Sequence, residues 1–422
     1  MRLDCDVVSR KFIAIDIAAA VVLVVGIAGA AVVLANRSSG PKPSAFPTAA
    51  LSASPTPTPS PSPGATTTRP PLDLGDWPTY GYNDARTRFN PAIDLRPPYR
   101  IKWRWGIGDL LEFPPAIYQR KLYFCTQHGN VYCLRAADKH IVWHYHLKGA
   151  LFASTPTVDH RSVYATSFAG KLIVLNRATG KPRWIVSGMG ATESSPLVWN
   201  GRVFFGSRDG NVYAVSIRTH RIVWRYQTGG AVKGAPAELD GRIVIGSYNG
   251  SVYCLSYGGH LIWRRSTGGL LGSSDEFYAT PALAYDTVYI GGTGSHIYAL
   301  DLGNGGTRWS FSTGGWVYSS PAVWHNLVFE GSYDDYFYAL NAATGRLVWR
   351  FYAGAPISGS PTVLNGIVYV SSLSKHTWGL NARTGRVVWR FGDGKYSPVT
   401  ADNRTLYLCG WHVLYALQPK QR

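Results

Sequence analysis

From Trp77 onward, short apolar runs alternate with clusters of Gly, Asp, Asn, Ser and Thr, and no run holds a helical apolar period for long. That pattern predicts many short strands joined by tight turns. The stretch from Ser195 to Trp224 shows the unit. Pro196 opens a short innermost strand, where a missing N–H is tolerated. Val203 to Ser207 and Asn211 to Val215 read as two further strands. Asp209-Gly210 between them accepts the positive φ of a hairpin turn. A fourth strand carries Trp224, and Thr344-Gly345-Arg346 and Thr384-Gly385-Arg386 show the turn into that strand.

The unit recurs about every forty residues. Trp stands at Trp103, Trp143, Trp184, Trp224, Trp263, Trp309, Trp349 and Trp389, and Pro at Pro115, Pro156, Pro196, Pro236, Pro281, Pro321, Pro361 and Pro398. One four-stranded sheet cannot cover both of its faces, whereas several stacked radially can, and this period suits the blades of a β-propeller. The fold class is therefore all-β: an eight-bladed propeller of four-stranded antiparallel blades. The first Trp precedes the first Pro and the last Pro has no Trp after it. Ile101–Trp105 should thus supply the outer strand of the last blade, beside Ser397–Thr400, Thr405–Cys409 and His412–Leu417, and close the ring. A seven-bladed ring with an irregular end is the competing count. Each Trp buries roughly 200 Å² and reads as structural, since it recurs once per repeat at one position.

The amino-terminal part is of another kind. Ile17 to Ala35 holds nineteen residues without a charge, and such a helix rises about 28 Å, close to a bilayer's hydrocarbon thickness. The expected organisation is a cytoplasmic terminus over 1–11, a transmembrane helix over 12–36, a Pro/Ser/Thr-rich stalk over 37–75 and the propeller over 76–422. A single-pass protein with an extracytoplasmic propeller follows. Secretion after cleavage of a signal peptide is the alternative, with Val33-Leu34-Ala35 as a small-residue cleavage site. The Ser-Pro and Thr-Pro run from Ser54 to Pro63 favours extended polyproline II.

Composition excludes disorder, since the 45% hydrophobic share includes 15 Trp, 26 Tyr and 15 Phe. Five Cys in 422 residues exclude a disulfide scaffold. The net charge is +18, and residues 1–76 hold six Lys or Arg against five Asp or Glu, so the propeller carries nearly all of it. Arg104, Arg225, Arg264, Arg350 and Arg390 each follow the repeat Trp and should stripe the outer rim. Contact of that rim with anionic lipid or an acidic wall polymer is one expectation, a plain soluble basic surface the other, and no nucleic-acid partner is expected. Cys125, Cys133, Cys254 and Cys409 fall in columns of small residues and read as buried thiols, with a Cys125–Cys133 disulfide the alternative. His144 and His146 share one strand face without a third ligand, so no metal is expected.

The repeated script of Ser-Ser-Pro, Val-Tyr, Gly-Ser-x-Asp-Gly, Val-Tyr-Ala-Leu, Ala-x-Thr-Gly and Trp resembles the repeat of the pyrroloquinoline-quinone-type (PQQ-like) propellers over residues 77–417. The approach segment Trp77-Pro78-Thr79-Tyr80-Gly81-Tyr82-Asn83 and Thr87-Arg88-Phe89-Asn90-Pro91 resembles that superfamily's lead-in. The resemblance implies relatives as different as quinoprotein dehydrogenases, the lipoprotein of the outer-membrane barrel-assembly machinery, and kinase sensor domains; the fold is shared and the function is not. The dehydrogenases resemble one another in a vicinal Cys-Cys pair, and no two Cys are neighbours here. The assembly lipoprotein needs a Cys just after its signal segment, and Cys5 lies before the apolar run.

Three residues before each Pro lies a column expected to ring one mouth of the central channel: Glu112, Glu193, Lys233, Tyr278, Tyr318, Ser358 and Lys395. Carboxylates, lysines and phenols converging there suit a polar ligand or a partner's loop, while a solvated polar funnel is the plainer alternative. An insertion over Leu270–Thr280 marks one blade as a possible working face, with tolerated loop drift the alternative. No catalytic residue is identified. The expected function is a non-enzymatic scaffold or sensor that binds a protein or small ligand without a cofactor. A PQQ- and calcium-dependent oxidoreductase with a reduced site is the alternative.

Overall fold

The computed structural model describes residues 75–267, 275–396, 399–410 and 412–420. The apolar segment 12–36 and the stalk up to residue 74 lie outside the described residues. Among the described residues no helix is long and apolar enough to cross a membrane.

Eight four-stranded antiparallel sheets form eight blades. In the third blade the strands are Leu197–Trp199, Arg202–Gly206, Asn211–Ser216 and Ile222–Gln227, in that spatial order from axis to rim. Gly210 takes φ +85° in the hairpin between the middle pair. The last blade is closed as the offset of Trp and Pro implies. Tyr99–Gly106 pairs antiparallel with Val413–Pro419, beside Leu406–Cys409 and Thr400–Ala401. Residues 397 and 398, the expected start of its inner strand, are not described.

The core lies between blades. Tyr123, Val131 and Cys133 of the first blade, for example, pack with Val158, Val163 and Ile173 of the second. The repeat Trp locks each such interface. Nε1 of Trp143, Trp224, Trp263 and Trp309 donates a 2.9 Å bond to the carbonyl of Arg177, Tyr257, Leu302 and Ala342 in the next blade. Trp103 and Trp349 do the same to Ala136 and Ala382 at 3.2 and 3.1 Å. Trp184 instead stacks on His220 at 4.7 Å, and Trp389 meets Tyr99 edge-on at 5.4 Å. Their structural role accords with the periodicity.

The Ser-Pro signature also has a mechanical cause. The N–H of Thr155, Thr280 and Ser320 donates to the hydroxyl of Ser195, Ser320 and Ser360, the residue at the same position in the next blade. Ala235 donates likewise to Thr280. These bonds knit the innermost strands into a girdle around the channel.

Cys125 lies opposite Val131 and Cys133 opposite Tyr123, so the two thiols do not face each other across the hairpin. Cys125, Cys133 and Cys254 are free thiols, and these three and Cys409 are buried. The rim arginines stand exposed on the outermost strands, opposite Tyr415, Tyr213, Tyr253, Tyr338 and Trp378 of the neighbouring strand. Arg264 and Arg350 lie over tyrosine rings at 5.6 and 4.6 Å.

Candidate functional site at the channel mouth

The segment from Trp77 to Asn90 enters the channel from one end and fills it. Its backbone pairs with the innermost strands in turn. Trp77 exchanges two bonds with Ile117, and Pro78, Asp84, Ala85, Thr87 and Arg88 offer carbonyls to Val158, Glu238, Leu283, Val323 and Val363. Arg86, fully buried, donates to the Pro236 carbonyl at 3.0 Å, to Thr79 Oγ1 at 2.6 Å, to the Pro196 carbonyl at 3.3 Å and to the Tyr80 carbonyl. An ion deprived of water is tolerable only when its donors are satisfied this way. The channel is therefore closed at one end.

At the other end a cavity of about 50 Å³ remains, room for a few water molecules. Glu112, Glu193, Lys233, Tyr278, Tyr318 and Ser358 line it, as the column before each Pro predicts. Lys395 is not among the lining residues; its neighbour Tyr396 is, and the Lys395 ammonium lies 4.8 Å from that ring. Tyr80, Phe113, Ser320 and Ser360 are also in its wall.

The charges are internally held. Glu193 Oε1 lies 3.5 Å from Arg208 Nε and 3.7 Å from Lys233 Nζ. The Lys233 ammonium stands 4.5 Å from the ring of Tyr248 and 5.6 Å from that of Tyr278, both favourable cation–π distances. Burial, with Glu193 and Glu112 nearby, holds the Tyr278 hydroxyl far above its ordinary range. Tyr278, Tyr318 and Tyr333 follow one another at 5.5 and 5.1 Å, and Trp316, 43% exposed, sits 5.9 Å from Tyr318. An aromatic path thus runs from the cavity to the surface.

Sequence reasoning missed the floor. Tyr80 comes from the lead-in and hydrogen-bonds Ser360 at 3.2 Å. Burial opposes its ionisation, yet the Arg88 guanidinium 4.1 Å from its ring, with Ser360 and Ser320, brings its hydroxyl below the usual tyrosine range. Near Arg88 lies Glu330, fully buried. Among the described residues no hydrogen bond of ordinary geometry reaches either of its carboxyl oxygens, or Nε and Nη2 of Arg88. Burial pushes that carboxyl well above its normal range despite Ser319 and Arg88. Its signal was readable, since the other blades carry Phe124, Ala165, Phe205, Ile245, Ile290, Val370 and Leu408 in that column. The lead-in's role was not, because it bonds through backbone carbonyls.

Residues 270–274 of the insertion lie outside the described residues; of the remainder, Asp275 and Phe277 are buried. Asp275 accepts from the hydroxyl of Tyr298, as Asp209 does from Tyr213 at 2.7 Å and Asp334 from Tyr338 at 2.6 Å. Phe277 is buried between blades, and Tyr278 alone of the inserted acidic and aromatic group reaches the cavity. His144 and His146 share Asn130 Oδ1 at 2.9 and 3.0 Å. Among the described residues no group of three or more His, Cys, Asp or Glu is arranged to hold a metal ion.

A family model described as outer membrane protein assembly factor BamB matches residues 100–193, 127–235, 208–319 and 293–420. No curated protein sequence matches. Among solved structures, BamB from Moraxella catarrhalis is similar with a TM-score of 0.67 and 20% identity, covering 76% of this chain and 100% of that one. The quinohemoprotein alcohol dehydrogenase from Comamonas testosteroni gives 0.72 and 13%, over 82% of this chain and 81% of that one. A europium-containing methanol dehydrogenase gives 0.70 and 13%, over 82% and 98%. Likeness at these identities is a statement about the fold.

Proposed function

The chain belongs to the family described as outer membrane protein assembly factor BamB, and from that premise we propose that it is a non-enzymatic binding scaffold or sensor. In this reading the segment 12–36 holds it at a membrane, the propeller lies on the extracytoplasmic side, and the open cavity engages a protein or small ligand. The observation that carries the reading is the one-ended channel. The lead-in seals one mouth, while the other gathers phenols, hydroxyls, a Glu193–Lys233 pair and an exposed Trp316 around a cavity the size of a side-chain tip. Such a cup suits an anchor residue from a partner, surrounded by an aromatic rim.

The residues here do not fit a quinone held on calcium. No two Cys are adjacent, and no cluster of three or more metal-ligating side chains occurs among the described residues. No catalytic step is derived through that group. The test is a thermal melt of the full chain with PQQ and calcium. A binder present at a hundred times its Kd would stabilise the protein by about 2.7 kcal/mol. The scaffold reading expects no calcium-dependent shift, and a clear one would return the chain to the oxidoreductases.

A further inference from the structure

Because strands alternate in direction, each blade's first and third turns lie at the closed face, and its second turn and the connection to the next blade lie at the open face. Charge divides along that line: the first and third turns together hold eleven Lys or Arg against five Asp. The third turns, between each blade's two outer strands, hold eight Lys or Arg and a single acid, Asp138. Arg177, Lys181, Arg218, Arg221, Arg383 and Arg386 are among them. Among the described residues none of these eight pairs with a carboxylate. The second turns and inter-blade connections together hold five Lys or Arg against nine Asp or Glu.

A second, independent feature borders those basic turns. In all eight blades the outermost strand bulges at the residue before the Trp. A bulge turns consecutive side chains out of the ordinary alternation. In five blades this exposes an aliphatic pair just past the turn: Ile222 and Val223 are 38 and 45% exposed, Leu347 and Val348 45 and 47%, Val387 and Val388 50 and 45%. A ring of unpaired cations beside paired aliphatic side chains is the composition of a surface that sits in lipid headgroups.

Third, the chain arrives on this side. Gly75 lies against Asn403, and Asp76 accepts from the Gln119 N–H at 2.7 Å, both in first turns at the closed face.

We infer that the closed face docks on the surface of an anionic lipid bilayer, turning the open cup away from it. The inference rests on the membrane-anchored reading for its orientation, but the surface chemistry stands apart from it. The test uses the full chain with Cys5→Ser, whose four described Cys are buried, and an environment-sensitive dye at Val348→Cys. The control carries the dye at Ser374→Cys, exposed on the open face.

Phosphatidylcholine vesicles are compared with vesicles that also contain phosphatidylglycerol. Docking predicts a blue shift at position 348 on the anionic vesicles alone, none at 374, and its loss in about 1 M salt, where charges are screened beyond about 3 Å. Arg218→Glu, Arg221→Glu, Arg383→Glu and Arg386→Glu together should weaken docking by about a thousandfold or more. Equal emission on both vesicles, or a shift produced by a soluble acidic wall polymer and not by vesicles, overturns the inference. Anchoring is read separately, as flotation with pure phosphatidylcholine vesicles in about 1 M salt. If that fails, the dye is read with anionic vesicles added to the unanchored chain.

Discussion

The indole of Trp309 lies against the backbone of Gly345 in the next blade, where a Cβ would come within 2.6 Å of the ring, while its Nε1 bonds the Ala342 carbonyl at 2.9 Å. Gly345 also sits at φ +69°. The Thr-Gly turn and the Trp of the repeat are therefore two halves of one joint.

Gly345→Ala should cost about 2–4 kcal/mol, combining the left-handed penalty with overpacking. Gly354 has nearly the same φ, +71°, but a Cβ there meets nothing within 4 Å. Gly354→Ala should cost only about 1 kcal/mol. Denaturant midpoints of the two variants separate the joint from the backbone effect; equal losses would mean that the Trp contact carries no energy.

The serine girdle makes its own prediction. Ser320→Ala leaves the buried N–H of Thr280 without an acceptor, for a loss of about 1–3 kcal/mol. Ser360→Ala leaves the Ser320 N–H without its acceptor and also removes the 3.2 Å partner of the Tyr80 hydroxyl, and should lose more. Urea titration decides the order.

Arg86 joins the lead-in to two inner strands through buried carbonyls. Arg86→Met should destabilise by about 3–5 kcal/mol, as for breaking a buried charged network. Limited proteolysis should then cut between residues 77 and 90 before the blades; cleavage elsewhere first would show that the plug is held by its backbone alone.

Glu238 gives stability a pH dependence. Burial, with Asp84 and Asp240 adding and the Gly241 N–H opposing, pushes its carboxyl up to about 7. The unfolded value is about 4.3, so between these two the folded state holds the extra proton. Its contribution is full below about 4.3 and is lost as pH rises toward 7. Glu238→Gln should remove that slope and stabilise the protein on the order of 2 kcal/mol at pH 8. Parallel melts across the window test this, and an unchanged slope would assign it elsewhere.

The blades were legible because each Trp and Pro returns at the same place, and ring closure was legible from their offset. The cavity was legible for a related reason: a column at one distance from each Pro must approach the axis together, which placed Glu193, Lys233 and Tyr278 side by side. The plug was not legible, since no period marks a segment that bonds through its carbonyls, and no pattern in the sequence marks Arg86 and Arg88 as buried. The packing role of Asp275 was not legible, because its partner Tyr298 lies in another stretch of sequence. The basic charge was visible in the composition, but its gathering on the closed face follows only from which turns the strand order places there.

The central claim is that the open cup binds a partner. The most direct measurement places a photo-crosslinking residue at Tyr318 in the full chain, in its native membranes, with Leu347 on the closed rim as comparison. The account predicts a discrete cross-linked protein or ligand from position 318 that is lost when Lys233→Ala and Glu193→Gln are added while the melting temperature holds. Cross-linking from 347 alone, or a product at 318 indifferent to those substitutions, would contradict it.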